Sequence, residues 1–206
     1  MAFRSFNKLT NAFLGEVKFD SRTTLNNKIK SIFNARQKLN VSLHERLELL
    51  HKISRMVESN KQQLADIISQ ETGKYEEDSE KEIEIAIKML RQNDKYIASY
   101  FHPEILPVDK NKKTKIQLYP IGPVYCVHSS YKPLWHLIRS ILINTRIGNP
   151  SLLRPSTKNP LVAKTFENIL KENHIDFVEI AYNSPEDFKH IISNDRIKGV
   201  YVSANL

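Results

Sequence analysis

The sequence predicts an α/β protein in which a helical first half precedes an incomplete Rossmann-type parallel sheet. Apolar residues repeat at helical spacing from Leu25 to about Ile97. From Gly122 onward, short apolar runs typical of buried strands alternate with longer amphipathic stretches. Such alternation is typical of a parallel sheet with right-handed crossover connections. We therefore expect N-terminal helices and a β-ribbon, followed by an incomplete Rossmann-type sheet.

Residues 1–22 are predicted to form a flexible N-terminal arm. The first acidic residue, Glu16, follows Arg4 and Lys8, and this order weakly resembles an organelle presequence. A flexible arm explains the same residues, and we prefer that interpretation. The single cysteine, which excludes an internal disulfide, suits a reducing compartment. We therefore expect a cytoplasmic protein with no membrane-spanning segment.

Residues 23–102 are predicted to form a helical segment. Two Ser-x-x-Glu pairs have the spacing of a capping box, Ser42 with Glu45 and Ser79 with Glu82. Asn60 is expected to begin a further helix, and Gly73 is expected to end it because glycine accepts the left-handed conformation common after a helix. The apolar stripes of these helices are interpreted as core.

Residues 103–120 are predicted to form a two-stranded ribbon of the oligomerisation type. Its strands, Ile105–Val108 and Lys115–Tyr119, flank a turn that carries most of a lysine cluster, Lys110, Lys112, Lys113 and Lys115. The net charge of +8 raises the alternative of nucleic-acid binding. The positive charge is scattered beside 23 acidic residues, without an arginine-rich stripe. We therefore interpret the cluster as a solvated turn and expect no nucleic-acid partner.

Residues 121–206 are predicted to form the incomplete sheet. The predicted strands are Val124–His128, Leu152–Arg154, Phe177–Ala181 and Gly199–Val202. The predicted helices are Leu134–Ile147, Pro160–Asn173 and Pro185–Ser193, the last with Ser184 as its cap. A Rossmann-type layout favours a nucleotide ligand, although the glycine-rich loop of the usual dinucleotide fingerprint is missing.

No local pattern in the sequence predicts catalysis. The seven histidines form no His-x-x-x-His pair and there is no Cys-x-x-Cys, so we expect no metal site. His128 precedes Ser129 and Ser130, which suggests a base and a nucleophile, but neighbouring residues at a strand end point in opposite directions. Cys126 lies inside an apolar strand, where a thiol is expected to be inert.

Four segments, in order, resemble the aldehyde dehydrogenase superfamily from about Leu25 to the C-terminus. These segments are Glu71–Lys74, Pro120–Val124, Gly148–Ser156 and Gly199–Asn205. They are similar to the family's Glu-x-Gly-Lys junction, its entry into the first cofactor strand, its ribose-contacting segment and its strand before a Thr-Gly-Ser turn. Two further segments, Pro133–Trp135 with Arg139 and Asn194–Ile197, look most like the succinate-semialdehyde dehydrogenase branch.

The resemblance implies NADP or NAD as cofactor, and the cofactor-binding positions that it implies are Ser129, Ser130, Arg154, Ser156 and Thr157. Several positions depart from the family pattern. Tyr131 replaces the asparagine that donates to the developing oxyanion, and Arg154 replaces the ribose-binding lysine. Thr157 stands where the family has an acidic residue, and Ala204 stands where it has the glycine of the Thr-Gly-Ser turn. We therefore expect degenerate, weak cofactor binding, with NADP preferred over NAD.

The family's general-base glutamate, nucleophilic cysteine and catalytic domain have no counterpart in this sequence, so no catalytic residue is predicted. The resemblance thus implies a truncated NAD(P)-dependent aldehyde dehydrogenase that is inactive alone. The alternative is a non-catalytic interaction protein, or one half of a split enzyme, that uses the oligomerisation surface. Its partner would be a second copy of this chain or a separately encoded C-terminal half.

Overall fold

The structure, a computed structural model, describes residues 2–92, 104–109 and 112–203. It confirms the predicted α/β class, with a helical layer packed on a four-stranded parallel sheet. Four residues used in the sequence analysis, Ile97, Lys110, Ala204 and Asn205, lie outside the described residues. Within the described part of the chain, no helix has the length and apolar character needed to cross a membrane.

The N-terminal residues form a hairpin, and the prediction of a flexible arm is wrong. Strands β1 (Ala2–Phe6) and β2 (Phe13–Lys18) pair antiparallel. Phe3 and Val17 are buried in the main core, and the ring of Phe3 packs edge-on against Phe19 at 4.7 Å. The hairpin is ordered by packing on distant helices, a contribution that a local sequence pattern does not reveal.

Up to Gln92, the last described residue of the helical segment, the structure contains four α-helices and one short 3₁₀ turn. They are α1 (Arg22–Ala35), the 3₁₀ turn Arg36–Leu39, α2 (Leu43–Ser59), α3 (Lys61–Thr72) and α4 (Glu76–Arg91). The predicted capping box at α2 is confirmed, since the Glu45 amide donates to Ser42 Oγ and the Ser42 amide donates to Glu45 Oε2. Gly73 ends α3 with a φ of +75°, as predicted.

The second predicted capping box is wrong. Helix α4 begins at Glu76, so Ser79 and Glu82 both lie inside it. Ser79 is buried, and its hydroxyl lies 2.8 Å from that of Ser69 on α3. Three acidic residues in the first turn favour the earlier start because they face the positive end of the helix dipole.

The ribbon consists of the antiparallel strands β3 (Glu104–Asp109) and β4 (Lys112–Ile116). The prediction of Lys115–Tyr119 for the second strand is wrong by three residues, because Lys112 and Lys113, expected in the turn, already pair with β3. The parallel sheet follows, with β5 (Val124–His128), β6 (Ser151–Arg154), β7 (Val178–Ile180) and β8 (Gly199–Ser203). The helices between these strands are α5 (Pro133–Ile147), α6 (Pro160–Glu172) and α7 (Asp187–Ile192). Helix α7 begins two residues later than predicted, after Ser184 and Asp187 have formed a local turn.

The strand order is β7-β6-β5-β8, and all pairs are parallel. Helices α2, α3 and α4 pack with α5 and α6 on one face of the sheet, while α1 and α7 cover the other. The chain moves outward from β5 to β7 and then returns to place β8 on the far side of β5. This reversal creates a crevice at the carboxyl ends of β5 and β8, where open α/β sheets commonly bind ligands.

Two buried glutamates join the helical segment to the helices of the sheet. Glu71 of α3 accepts hydrogen bonds from the Leu161 and Val162 amides at the start of α6, at 3.0 and 2.7 Å, and from the Ser5 hydroxyl. Glu82 of α4 accepts from the first amides of α5. Each carboxylate therefore satisfies helix amides that otherwise lack partners, and it also opposes the positive end of a helix dipole.

Candidate functional site at the carboxyl edge of the sheet

The predicted cofactor-binding residues lie together at the carboxyl edge of the sheet. Ser129 and Ser130 directly follow β5, while Ser156 and Thr157 follow the end of β6 at Arg154. Parallel pairing aligns Val127 of β5 with Arg154 of β6, so the two loops leave the sheet side by side. The structure thus brings these positions to one edge, and their role in binding a cofactor stays a prediction.

His128 is the most unusual polar residue of this edge. It is only 5% exposed, and neither ring nitrogen has a hydrogen-bond partner among the described residues. Its ring stacks on that of His136, with centroids 6.2 Å apart, and His136 Nδ1 lies 3.2 Å from Ser203 Oγ at the end of β8. Burial, assisted by the nearby His136 and Arg139, lowers the pKa of His128 to about 3. The imidazole is therefore neutral at physiological pH.

The sequence suggested only one role for His128, that of a base for the adjacent serines. Within the described residues it makes no hydrogen bond to Ser129 or Ser130, in agreement with the expected opposite orientations. Its contact with His136, and that of His136 with Ser203, were not predicted. They connect β5, α5 and β8, and the second contact joins residues 67 positions apart.

Arg154 is half-buried, and no carboxylate of the described residues lies within ion-pair distance of it. Its positive charge favours the ionised form of the buried phenol of Tyr125. The hydroxyl of Tyr125 donates a hydrogen bond to Asn183 at 2.9 Å. Burial raises the pKa of Tyr125 to about 12, and the charge of Arg154 opposes this rise. Thr157 is exposed two residues beyond the proline that follows β6. Arg154 is therefore a cation available for an anionic group at this edge.

Tyr131, which replaces the oxyanion-binding asparagine of the family, points toward two cations. The ammonium groups of Lys74 and Lys132 each lie 5.5 Å from its ring centroid. Its side chain is 57% exposed. Lys132, the next residue, takes a left-handed conformation with a φ of +47° just before α5 begins. This exposed phenol is longer and more mobile than the amide that it replaces, so it is a poor substitute for a fixed oxyanion donor.

Cys126 lies in the middle of β5, below the edge, and is buried as predicted. The side-chain amide of Asn144 donates to its sulfur at 3.4 Å. Burial raises the pKa of the thiol to about 11, while hydrogen bonds from Asn144 and Ser140 only partly oppose this. The thiol therefore remains protonated and has no access to a substrate at the carboxyl edge.

The residues present fit part of a dinucleotide. Among the described residues, Arg154 has no ion-pair partner, and the nearby His128 has no hydrogen-bond partner for either ring nitrogen. Ser129, Ser130 and Ser156 supply hydroxyl groups at the same edge. These groups suit a phosphorylated ribose, which presents both hydrogen-bond acceptors and hydroxyls. Across residues 2–92, 104–109 and 112–203, no three histidine, cysteine, aspartate or glutamate side chains are grouped to hold a metal ion.

Solved structures of aldehyde dehydrogenases share this fold. A succinic semialdehyde dehydrogenase from Streptococcus pyogenes, solved in complex with NADP+, superposes with a TM-score of 0.88 at 18% identity, covering 98% of this chain and 45% of that one. An NADP-complexed glyceraldehyde-3-phosphate dehydrogenase from Methanocaldococcus jannaschii gives a TM-score of 0.81 at 20% identity, covering 99% of this chain and 50% of that one. At such identities the likeness establishes the fold.

Curated relatives include two semialdehyde dehydrogenases. The succinate-semialdehyde dehydrogenase [NADP(+)] of Deinococcus radiodurans is 21% identical over 168 residues, and malonate-semialdehyde dehydrogenase 1 of Bacillus licheniformis is 24% identical over 162 residues. Each alignment covers 78% of this chain and 34% of the relative. The chain therefore spans about a third of the length of these relatives.

The family model described as "Aldehyde dehydrogenase family" matches residues 1–200, which is nearly the whole sequence. This match includes the N-terminal hairpin, the helical segment, the ribbon, the strands β5 to β7 and the first two residues of β8. It agrees with the segments whose order and spacing resembled the family, and with the fold shared with its solved members. The chain belongs to the aldehyde dehydrogenase family.

Proposed function

We propose that this chain forms the cofactor-binding part of an NAD(P)-dependent aldehyde dehydrogenase of the succinate-semialdehyde type, and that the 206-residue chain alone does not oxidise aldehydes. The observation that supports the proposed inactivity is the burial and protonation of Cys126. It is the sole cysteine of the sequence, and it is buried with a pKa of about 11. Chemistry of this family type needs a thiolate nucleophile.

The pKa of the Cys126 thiol is too high for this residue to serve as the nucleophile. A pKa of about 11 leaves roughly one thiol in ten thousand ionised at pH 7. Burial then prevents even that fraction from reaching an aldehyde, because the sulfur lies under helix α5 beside Asn144. This residue therefore stabilises the core and does not serve as a nucleophile.

Activity is tested by incubating the purified chain with succinate semialdehyde and either NADP or NAD, while the absorbance of the reduced nicotinamide is followed. No turnover above background is expected. The matched control is Cys126→Ala, which removes the thiol and leaves the surface unchanged. Turnover by the wild-type chain, whether lost or retained in Cys126→Ala, would overturn the proposed inactivity.

We further propose that the carboxyl edge binds NADP in preference to NAD, and weakly. A bound nicotinamide cofactor would supply a hydride acceptor. Arg154 offers a planar guanidinium, which suits the oxygens of a 2′-phosphate, and Thr157 places no negative charge beside it. The 2′-phosphate of NADP would then contact a single cation, Arg154, at the end of β6.

Calorimetric titration of both cofactors tests the preference. Arg154→Gln is expected to weaken NADP binding about tenfold and to leave NAD binding unchanged, because one charge-assisted hydrogen bond is lost. Lys158→Gln, an exposed cation four residues along the chain, serves as the control. Equal affinity for NAD and NADP in the wild-type chain, or an Arg154→Gln variant with unchanged NADP affinity, would contradict this assignment.

A second candidate function is that of a non-catalytic interaction protein or one half of a split enzyme. It is favoured by strand β8, which pairs only with β5 among the described strands and exposes Val200, Tyr201 and Val202. An unpaired, apolar edge strand invites association with another chain. Light scattering is expected to show self-association or instability of the isolated chain. A monodisperse monomer with one sharp unfolding transition would contradict this function.

A further inference from the structure

A cleft of about 480 Å³ lies at the amino edge of the parallel sheet, opposite the candidate cofactor site. Its walls come from the end of α1, from the 3₁₀ turn, from the segment before β5 and from the residue before β8. The side chains that matter for the argument are Phe33, Arg36, Tyr119, Ile121 and Lys198. A cleft of this size accommodates a small organic molecule.

The charge of this cleft is positive and unbalanced. No acidic residue lines it, and neither Arg36 nor Lys198 has a carboxylate within ion-pair distance among the described residues. The guanidinium of Arg36 lies 3.7 Å from the ring centroid of Phe33, and that of Arg196 lies 5.7 Å from the same centroid. Cationic groups thus converge around one aromatic ring.

A second cleft, of about 340 Å³, shows that this imbalance is not general in the protein. It lies between β2, α1 and α6 and is lined with lysines. There Lys28 donates to both carboxylate oxygens of Asp20, at 3.0 and 2.8 Å, and Lys164 and Lys171 both donate to Glu167. Three of the four lysines that line it are therefore held by the protein's own carboxylates. The cations of the amino-edge cleft are left for an external anion.

The remaining walls of the amino-edge cleft are aromatic and apolar. Tyr119 is 71% exposed and Ile121 is 58% exposed, so their side chains present free surface to the cleft. Pro120 and Pro123 make the intervening wall rigid. Aromatic faces and prolines of this kind pack well against a planar ring, and the nearby cations would contact its anionic substituent.

We propose that the amino-edge cleft binds a phosphorylated ligand with a planar ring, of the mononucleotide class. Arg36 and Lys198 contact the phosphate, and Tyr119 and Ile121 pack against the ring. The site is separate from the carboxyl edge, since β5 alone places about 13 Å of strand between its two ends. It is also independent of whether the carboxyl edge binds NADP.

Isothermal titration of the 206-residue chain with AMP tests the proposal, with adenosine and inorganic phosphate as the two partial ligands. AMP is expected to bind at least about tenfold more tightly than either, because only AMP contacts both the cations and the aromatic wall. Arg36→Gln and Lys198→Gln are each expected to weaken AMP binding about tenfold. Both residues are exposed, so these substitutions should not affect folding, which circular dichroism verifies.

Lys158→Gln is the matched control, since it removes an exposed cation from the loop after β6, at the opposite edge of the same sheet. It is expected to leave AMP binding at the amino edge unchanged. AMP binding that depends on Arg154 and not on Arg36 or Lys198 would place the nucleotide at the carboxyl edge and overturn the proposal. Absence of AMP binding, or adenosine binding as tightly as AMP, would overturn it as well.

Discussion

The buried carboxylates under the helices and the polar groups at the carboxyl edge of the sheet differ in how their hydrogen bonds are satisfied. Glu71 accepts bonds from two helix amides and a serine hydroxyl, and Glu82 accepts from two amides and a lysine. By contrast, His128 has no partner for either ring nitrogen, and Arg154 has no ion-pair partner, within the described residues.

This difference separates a scaffold from a site. Buried polar groups cost free energy unless they are hydrogen-bonded, and Glu71 and Glu82 meet that condition fully. The two glutamates tie the helical segment to the starts of α6 and α5, and these helices follow the strands that carry the candidate site. Groups that the protein leaves without internal partners are then free to bind a ligand. Substitution should therefore affect stability strongly in the first region and ligand binding in the second.

The largest expected effect belongs to Glu71→Gln. The amide replaces one acceptor oxygen by a donor, so at least one amide at the start of α6 loses its partner, and the charge opposite the helix dipole is lost. We expect the free energy of unfolding to fall by about 3 kcal/mol, measured by urea denaturation.

Glu77→Gln is the control for this substitution, because Glu77 is exposed and lies in the first turn of the adjacent helix α4. It should leave the unfolding midpoint almost unchanged. Equal effects of the two substitutions would show that Glu71 does not stabilise the junction between α3 and α6.

Glu82→Gln should produce a smaller loss, of about 2 kcal/mol in the free energy of unfolding. The Gln carbonyl oxygen can still accept from the Leu134 and Trp135 amides, which both bond to the same carboxylate oxygen at 3.1 Å. What is lost is the ion pair of Glu82 with Lys74 at 2.7 Å and the charge near the helix end. Glu77→Gln, at an exposed position of the same helix that has no ion pair among the described residues, is again the control. A loss no greater than that of the control would indicate that the ion pair contributes nothing.

Much of the fold was accessible from the sequence because the signals were local. Strand β5 was predicted with its observed bounds, since an apolar run ends at a polar loop, and the α2 capping box was predicted from two residues three positions apart. The N-terminal hairpin and the start of α4 were not predicted correctly. Both depend on distant contacts, Phe3 with Phe19 and Ser79 with Ser69, that do not appear in any local pattern.

The candidate site was predictable in position and not in geometry. The family resemblance implied Ser129 and Ser156, and the parallel strands β5 and β6 place the two loops that carry them at one edge of the sheet. The contact between His136 and Ser203 joins an α5 side chain to the end of β8, and the sequence contains no signal for it. The cofactor positions came from the family resemblance, because no residue pattern in the chain defines them.

The smallest expected effect is a pH dependence of stability that comes from His128. Its pKa is about 3 in the folded chain, mainly because of burial, with His136 and Arg139 adding to the shift, while an unfolded histidine has a pKa of about 6.5. Between these values the unfolded chain binds one more proton than the folded chain, so stability is present above pH 6.5 and is lost as the pH falls. The loss from pH 7.5 to pH 5.5 amounts to about 1.4 kcal/mol in the free energy of unfolding.

His128→Asn is expected to remove this difference from urea denaturation curves recorded at the two pH values, whereas His44→Asn, at an exposed position, should retain it. Identical pH dependence in His128→Asn and the wild-type chain would mean that His128 is protonated in the folded protein, and therefore that it has a partner at the carboxyl edge.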